Sequence, residues 1–366
     1  MPTHKTSAWL LAQVYLGLIV YASLYPFVHW RYQGVAPWVF MLAPWPKYWT
    51  GFDVVSNVLG YMPLGFLLAL SALRTGRGRW AILAALLACA LLSFAMESLQ
   101  MFLPDRVPSN VDLGLNVMGA MLGAVMAWSL EKLGLLQRWG RFRANWFVAD
   151  ARGALVLLAL WPIALLFPTA VPFGLGHVLE RIEGALVDVL DNSPFLEWLP
   201  VRDVALQPLL PTVEWLCVML GVMVPGLLGY CIIRRTYRRV WFLVWLLAIG
   251  VGASALSGAM SFGPAHAWAW LTPSVEKASL AGLGALCALL WLRQRAAAAI
   301  GVLALGVYLS LINQTFTSPY LEQTLFMWEQ GRFIRFNGLA QWLGWLWPFA
   351  TLVYLLSVLW SKESKN

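Results

Sequence analysis

The sequence predicts an all-α, polytopic membrane protein of about ten transmembrane helices, with both termini cytoplasmic. Three observations predict this. First, 60% of the 366 residues are apolar and only 11% are charged, whereas a soluble domain needs roughly 25% charged residues to cover its surface. Lipid has to solvate the surplus. Second, apolar runs recur at 9–28, 54–73, 80–102, 113–130, 154–173, 213–233, 240–257, 275–292, 296–312 and 341–360, and a helical span needs about 20 mostly apolar residues. Third, with the N-terminus inside, 17 of the 25 Lys and Arg residues fall in the inner segments, the bias that orients membrane helices. The 22 Trp residues fit the same reading, because indole rings favour the headgroup boundary.

The first run follows His4 and Lys5 and could be a signal peptide. It is longer than the roughly 7–15 residues of a signal h-region, and no small-residue cleavage site follows. An uncleaved first span is the better reading. The pair 275–292 and 296–312 reads as a hairpin. A single long helix would put Arg293 and Arg295 at the bilayer centre, where each costs about 2.5–3.5 kcal/mol on insertion scales. The basic stretch 131–152 separates a four-span unit, residues 1–130, from a six-span region, residues 153–366. Two outer segments of that region have a character of their own. In 177–191, Val178, Leu179, Ile182, Leu186, Val189 and Leu190 fall on one helical stripe opposite Glu180, Arg181, Glu183 and Asp188, which reads as an amphipathic surface helix. The aromatic-rich segment 320–337 reads as a second interfacial element. For both segments a plain packed loop is the alternative, since a helical stripe alone does not separate membrane burial from protein burial.

The net charge of +8 does not mark a nucleic-acid binder, because no domain-sized polar segment is present to carry that function. Cys89, Cys217, Cys231 and Cys287 lie in apolar runs without CxxC spacing, so neither structural disulfides nor a zinc site is expected. The four histidines are scattered. No metal site and no resident cofactor are expected.

Against this apolar background, polar residues collect at the outer ends of the first four spans. The second span opens Asp53-x3-Asn57-x2-Gly60, followed by Pro63 and Gly65. The fourth opens Asp112-x3-Asn116-x2-Gly119, followed by Gly123. Each motif puts Asp, Asn and Gly on one helix face, and both spans enter from the same side, so this is a short parallel repeat. The third span ends with Glu97 and Gln100 on a common face, and Arg106 follows in a loop that could fold back toward Glu97 and Asp112. Each piece has an ordinary explanation. Asp53 and Asp112 could be helix N-caps, Asn57 and Asn116 could be interhelical glue, and Gly60, Pro63, Gly65, Gly119 and Gly123 could serve helix packing. Taken together, three carboxylates, an arginine, two asparagines and a glutamine exceed what capping needs. Ionisable groups at this depth are a functional-site hypothesis by default. The expectation is a shared, outward-facing polar pocket.

These residues carry a resemblance to the VanZ-like family. It runs from Ser23-Leu24-Tyr25-Pro26-Phe27 through Asp53-x3-Asn57 and Pro63-Leu64-Gly65 to Glu97-x2-Gln100. It continues as Pro104-x-Arg106-x2-Ser109-x2-Asp112-x3-Asn116-x2-Gly119-x3-Gly123, and covers about residues 9–130. The resemblance implies a multi-pass protein of the bacterial cytoplasmic membrane. The family is named for a member linked to low-level resistance to teicoplanin, a lipidated glycopeptide acting outside that membrane, and is associated with envelope functions rather than with a defined reaction.

Three functions compete. A binding or modulating protein would hold the polar head of an amphipathic envelope molecule, such as a lipid-linked saccharide precursor, with membrane lipids around it. Arg106 would pair with a phosphate or carboxylate, and Asn57, Asn116 and Gln100 would bond sugar or amide groups. A membrane enzyme would use Asp53, Glu97 and Asp112 to hold Mg²⁺, or one of them as a general base, yet no nucleophile motif or histidine base accompanies them. A proton-coupled transporter or lipid flippase would exploit the paired repeat and Pro63, but such sites lie near the bilayer midplane. The first reading leads.

Overall fold

The computed structural model describes residues 7–25, 27, 29–45, 50–76, 80–104, 106–167, 169–191, 193–195, 210–314 and 334–361. Among them the fold is all-α, and the only β-type pairing is one isolated bridge between Phe147 and Ile233. The helices are α1 (Ser7–Leu24), α2 (Gly51–Arg74), α3 (Trp80–Gln100), α4 (Asn110–Lys132), α5 (Leu135–Trp146) and α6 (Arg152–Ala164). They continue as α7 (Leu179–Leu190), α8 (Pro211–Tyr230), α9 (Thr236–Phe262), α10 (Pro273–Ala288), α11 (Gln294–Ile312) and α12 (Ile334–Trp360). Helices α2, α3, α4, α8, α9, α11 and α12 are long and apolar enough to cross a membrane. The apolar stretches of α1 and α6, Leu11–Leu24 and Arg152–Ala164, are shorter. The segment 320–333 lies outside the described residues, and 334–337 opens α12.

The chain forms two compact units, Met1–Phe142 and Arg143–Asn366. The boundary falls inside the basic stretch 131–152, which is itself helical over Leu135–Trp146.

The N-terminal unit is built around the contact between α2 and α4. Val58 meets Gly119 and Met62 meets Gly123, and Asn57 near the start of α2 bonds Asp112 near the start of α4, so the two helices run parallel. A Cβ at Gly119 would fall on the Val58 carbonyl, one at Gly123 on the Met62 carbonyl, and one at Gly65 on the Ala120 backbone. Only glycine lets the two backbones come this close, which is how membrane helices gain packing when lipid supplies no hydrophobic drive between them. Gly60 stands apart from this seam. A Cβ there would meet nothing within 4 Å, and its carbonyl instead accepts the Tyr15 hydroxyl of α1 at 3.0 Å. That bond lies one turn before Pro63, which sits inside α2 and leaves the helix ladder one donor short. Helix α3 packs on both α2 and α4.

The segment after α1 runs along one end of this unit. Arg31 N donates to Phe102 O at 2.9 Å. Asn110 Nδ2 donates to Ala43 O at 2.8 Å, and buried Phe40 packs beside Phe94 with ring centroids 5.9 Å apart.

In the C-terminal unit, α8 is the central element. Every residue from Cys217 to Tyr230 except Met219 is buried, as expected of a helix that is apolar all round. It packs against α10 and α11. Those two helices are separated by a break at 289–293, so the chain does not run on as one long helix through Arg293.

The fifth predicted span, 154–173, is not helical throughout. Helix α6 ends at Ala164, shortly after Pro162, and Pro168 and Pro172 follow. Proline removes ladder donors and disfavours helix at the residue before it. The chain then continues as an irregular segment in which Val171, Phe173, Leu175 and Val178 are buried. Away from water, such backbone needs partners from the surrounding protein, and these are present. Tyr308 Oη donates to Leu175 O at 2.7 Å, Asn313 Nδ2 to Gly176 O at 3.0 Å, and Gly176 N to Gly344 O at 2.7 Å. Phe173, at φ 61°, is held between the Trp161 ring, stacked at 6.3 Å, and the edge of Trp270 at 5.8 Å.

Arg239 closes the other end of this unit. Its side chain is buried and donates to Leu290 O (2.7 Å), Leu292 O (2.8 Å), Tyr230 O (2.9 Å) and Ile233 O (3.3 Å). The guanidinium also lies over the Tyr230 ring. These carbonyls terminate α8 and follow α10, where helix ends carry unsatisfied acceptors and partial negative charge.

Two consequences follow from this packing. Gly123→Ala overpacks the α2–α4 seam and lowers stability by about 1–3 kcal/mol, whereas Gly60→Ala is neutral or raises it by up to about 1 kcal/mol; thermal unfolding in detergent distinguishes the two. Arg239→Lys strands carbonyls that a planar five-donor fork satisfied and costs about 1–3 kcal/mol, read by the same melt.

Candidate functional site

The candidate residues gather where the N-termini of α2 and α4 meet the C-termini of α1 and α3. How each helix begins explains their placement. Thr50 is the N-cap of α2. Its Oγ1 accepts from Asp53 N, and Asp53 Oδ2 accepts from Thr50 N at 2.9 Å, which is a complete capping box. Ser109 is the N-cap of α4, and its Oγ accepts from Val111 N at 3.1 Å. Neither Asp53 nor Asp112 is therefore the N-cap suggested by the sequence. Both occupy the third helical position, three residues after a hydroxyl cap. The internal repeat is accordingly longer than its Asp-Asn-Gly core, reading Thr50 or Ser109, x2, Asp, x3, Asn, x2, Gly.

The two copies make different bonds. In α2, Asp53 completes its own cap. In α4, the Ser109 N–H donates to Glu97 Oε2 of α3 at 2.9 Å, and Asp112 Oδ1 accepts from Asn57 Nδ2 of α2 at 2.8 Å. Asn57 thus ties α2 to α4. Its counterpart Asn116 points the other way and donates from Nδ2 to Ser93 Oγ of α3 at 2.9 Å. Gln100 Nε2 donates to Ser23 O at 3.0 Å, and Arg106 Nη2 to Tyr25 O at 2.7 Å, both at the end of α1.

The residues sort into two layers by depth. Glu97, Asn116 and Ser93 are 5%, 4% and 0% exposed. Asp53, Asn57, Gln100, Arg106 and Asp112 are half-buried. The deep layer includes Tyr61, also buried, which lies beside Ser93 and Glu97. Its hydroxyl faces Ser93 without forming a well-shaped hydrogen bond. Tyr61 and Ser93 are not among the residues expected from the sequence, although their spacing carries a signal. Tyr61 follows Asn57, and Glu97 follows Ser93, at the same four-residue spacing that links Asp112 to Asn116, so each pair shares a helix face.

Three carboxylates coexist here because each has N–H donors. Asp53 and Asp112 lie in the first turns of α2 and α4, where the helix dipole favours negative charge. Glu97 accepts from the N-cap amide of α4. Among the described residues, no group of three or more His, Cys, Asp and Glu is gathered closely enough to hold a metal ion. Asp53, Glu97 and Asp112 are distributed over separate donors rather than converging on one point.

Among the described residues, seven apolar helices of membrane-crossing length and a polar cluster at one end of a helical unit define a polytopic α-helical membrane protein. The VanZ/LLP1 family model matches residues 6–132, so the chain carries an N-terminal VanZ-like domain. That match spans α1 to α4 and stops before the C-terminal unit. No curated protein and no solved structure matches the chain.

The Asn57–Asp112 bond is testable by a double-mutant cycle with Asn57→Ala and Asp112→Ala. The expected coupling is about 0.6–1.7 kcal/mol, the range for interhelical bonds in membranes. At position 97, Glu97→Gln keeps an acceptor for the Ser109 amide, whereas Glu97→Leu strands it at a cost of about 1–3 kcal/mol. Unfolding in detergent should rank Glu97→Leu clearly below Glu97→Gln.

Proposed function

We propose that the VanZ-like unit works at the outer face of the bacterial cytoplasmic membrane, where its polar end holds the head of an amphipathic envelope molecule. The class is a lipid-linked saccharide precursor or a lipidated glycopeptide. The observation that carries this reading is the half-buried layer of Asp53, Asn57, Gln100, Arg106 and Asp112, assembled from three helices and a loop at one end of the unit. Arg106 brings a permanent cation suited to a phosphate or carboxylate. Asn57 and Gln100 offer amide groups to sugar hydroxyls, while exposed apolar side chains on α2 and α4, such as Val55, Leu59, Met118 and Leu122, suit an acyl or prenyl chain.

The carboxylates bear on this reading through their donors. An anionic head would be repelled by Asp53, Glu97 and Asp112 as bare charges. Hydrogen bonds to the Thr50 amide, the Ser109 amide and the Asn57 amide spread that charge, which lessens the repulsion near Arg106. The outward orientation rests on the distribution of Lys and Arg along the chain, with both termini cytoplasmic. A role in sensitivity to teicoplanin-type glycopeptides would follow if the molecule held is the drug or its lipid-linked target.

Native mass spectrometry of the purified full-length protein tests this. The expected result is one co-purifying class of lipid-linked saccharide, with occupancy lowered at least about tenfold in Arg106→Gln, a loss of about 1.4 kcal/mol. Glutamine keeps a donor for the Tyr25 carbonyl, so the variant should melt near the parent temperature. Absence of a specific lipid, together with an unchanged envelope phenotype in Arg106→Gln, would overturn the proposal.

A further inference from the structure

Helix α7 in the C-terminal unit leaves an apolar stripe uncovered. Leu179, Ile182, Leu186 and Val189 recur at helical spacing and are all exposed, Val189 to 80%. Asp188 lies opposite this stripe, and Glu183 borders it beside Leu179. The sequence of the helix and its C-cap adds Glu180, Arg181 and Asp191, so the segment is net acidic. Its first residue shows where it starts. The N-cap position, Val178, has no capping side chain of its own. Instead Asn313 Oδ1 accepts from both Val178 N (3.1 Å) and Leu179 N (3.0 Å). One buried asparagine therefore caps α7 from another helix.

Asn313 also locates that start relative to a bilayer. It is the C-cap of α11, whose 19 residues make a rod of about 28 Å, close to the hydrocarbon thickness of about 30 Å. The opposite end of α11 begins at Arg293 and Arg295, which belong at a membrane boundary. Asn313 then lies at the other boundary, and α7 starts there.

We infer that α7 is an interfacial helix. Its Leu179–Ile182–Leu186–Val189 stripe lies in the acyl–headgroup boundary of the leaflet at the Asn313 end of α11, and it favours zwitterionic over anionic phospholipid. Amphipathic surface helices usually carry Lys and Arg toward anionic headgroups. This one carries acidic residues, so anionic lipid repels it and burial of the stripe supplies the attraction.

The test uses the full-length protein in nanodiscs of phosphatidylcholine, with Cys287→Ser as background because the other three cysteines are buried. Single spin labels are placed through Leu186→Cys, Val189→Cys and Asp188→Cys, and collision with oxygen is compared with collision with a water-soluble nickel chelate. The expected oxygen-to-nickel ratio at 186 and 189 is at least about threefold that at 188, following the lipid-facing and water-facing sides of an interfacial helix. Adding phosphatidylglycerol should lower the ratio at 186 and 189. Nickel-dominated collision at all three sites would place α7 in water and overturn the inference. Exclusion of both reagents from 186 and 189 would show the stripe covered by protein, either another segment of this chain or a second copy, and would overturn it equally. A ratio that rises with phosphatidylglycerol would overturn the lipid preference.

Discussion

Hydrocarbon offers no hydrogen bonds, and the two units are shaped by what each must do to keep polar groups satisfied without water. In the N-terminal unit the difficulty is at helix starts, where the first turn leaves donors unpaired. Thr50 and Asp53 meet it locally in α2, and Ser109 with Glu97 meets it across two helices for α4. In the C-terminal unit the difficulty is the irregular chain after Ala164 and the helix ends beside Arg239. There Tyr308, Asn313 and Arg239 bring side-chain donors to stranded carbonyls. Hydrogen bonding here follows from backbone geometry, and the polar residues stand where the geometry leaves gaps.

The glycine seam sets the position of the N-terminal polar cluster. Asn and Asp are short, so an Asn57–Asp112 bond requires the α2 and α4 backbones to be close already. Gly119 and Gly123 on one helix and Gly65 on the other permit that approach. The seam also breaks the symmetry of the repeat. Two parallel helices with the same motif cannot both turn the same face to each other and to α3. Asn57 accordingly faces α4, while Asn116 faces α3. Gly119 takes a backbone contact, whereas Gly60 is left beside α1, where its carbonyl serves Tyr15.

Much of this was legible in the sequence, for a physical reason in each case. Lipid demands long uninterrupted apolar runs, so α2, α3, α4, α8, α9, α11 and α12 stand out at once. The break between α10 and α11 follows from the cost of placing Arg293 and Arg295 at mid-depth. The early end of α6 was signalled by Pro162, Pro168 and Pro172, but a run of apolar residues reads the same whether it is helical or irregular. The partners that make the irregular form tolerable, Tyr308 and Asn313, lie more than a hundred residues away in sequence, where no local pattern points to them. The cap residues Thr50 and Ser109 were visible as hydroxyls three positions before Asp53 and Asp112; treating the aspartates as caps obscured them. Gly60 and Gly119 are indistinguishable in the motif, and only the register of the helix crossing separates them.

Depth gives the cluster its division of labour. Ser93, Glu97, Asn116 and Tyr61 are buried among α2, α3 and α4, and the bonds of the first three join helix to helix or helix to cap. Nothing at the surface can reach them without separating the helices, so their work is to hold the end of the unit together. Asp53, Asn57, Gln100, Arg106 and Asp112 form the layer above, half-buried and tied by bonds to neighbouring backbone and side chains. Those bonds orient the side chains before any ligand arrives, which reduces the ordering cost that binding would otherwise carry. The shallow layer serves structure as well, since Asp53 caps α2 and Asn57 ties α2 to α4. It also sets the Arg106 charge and oriented amide groups in a half-buried layer at one end of the unit, and the binding proposal rests on that placement.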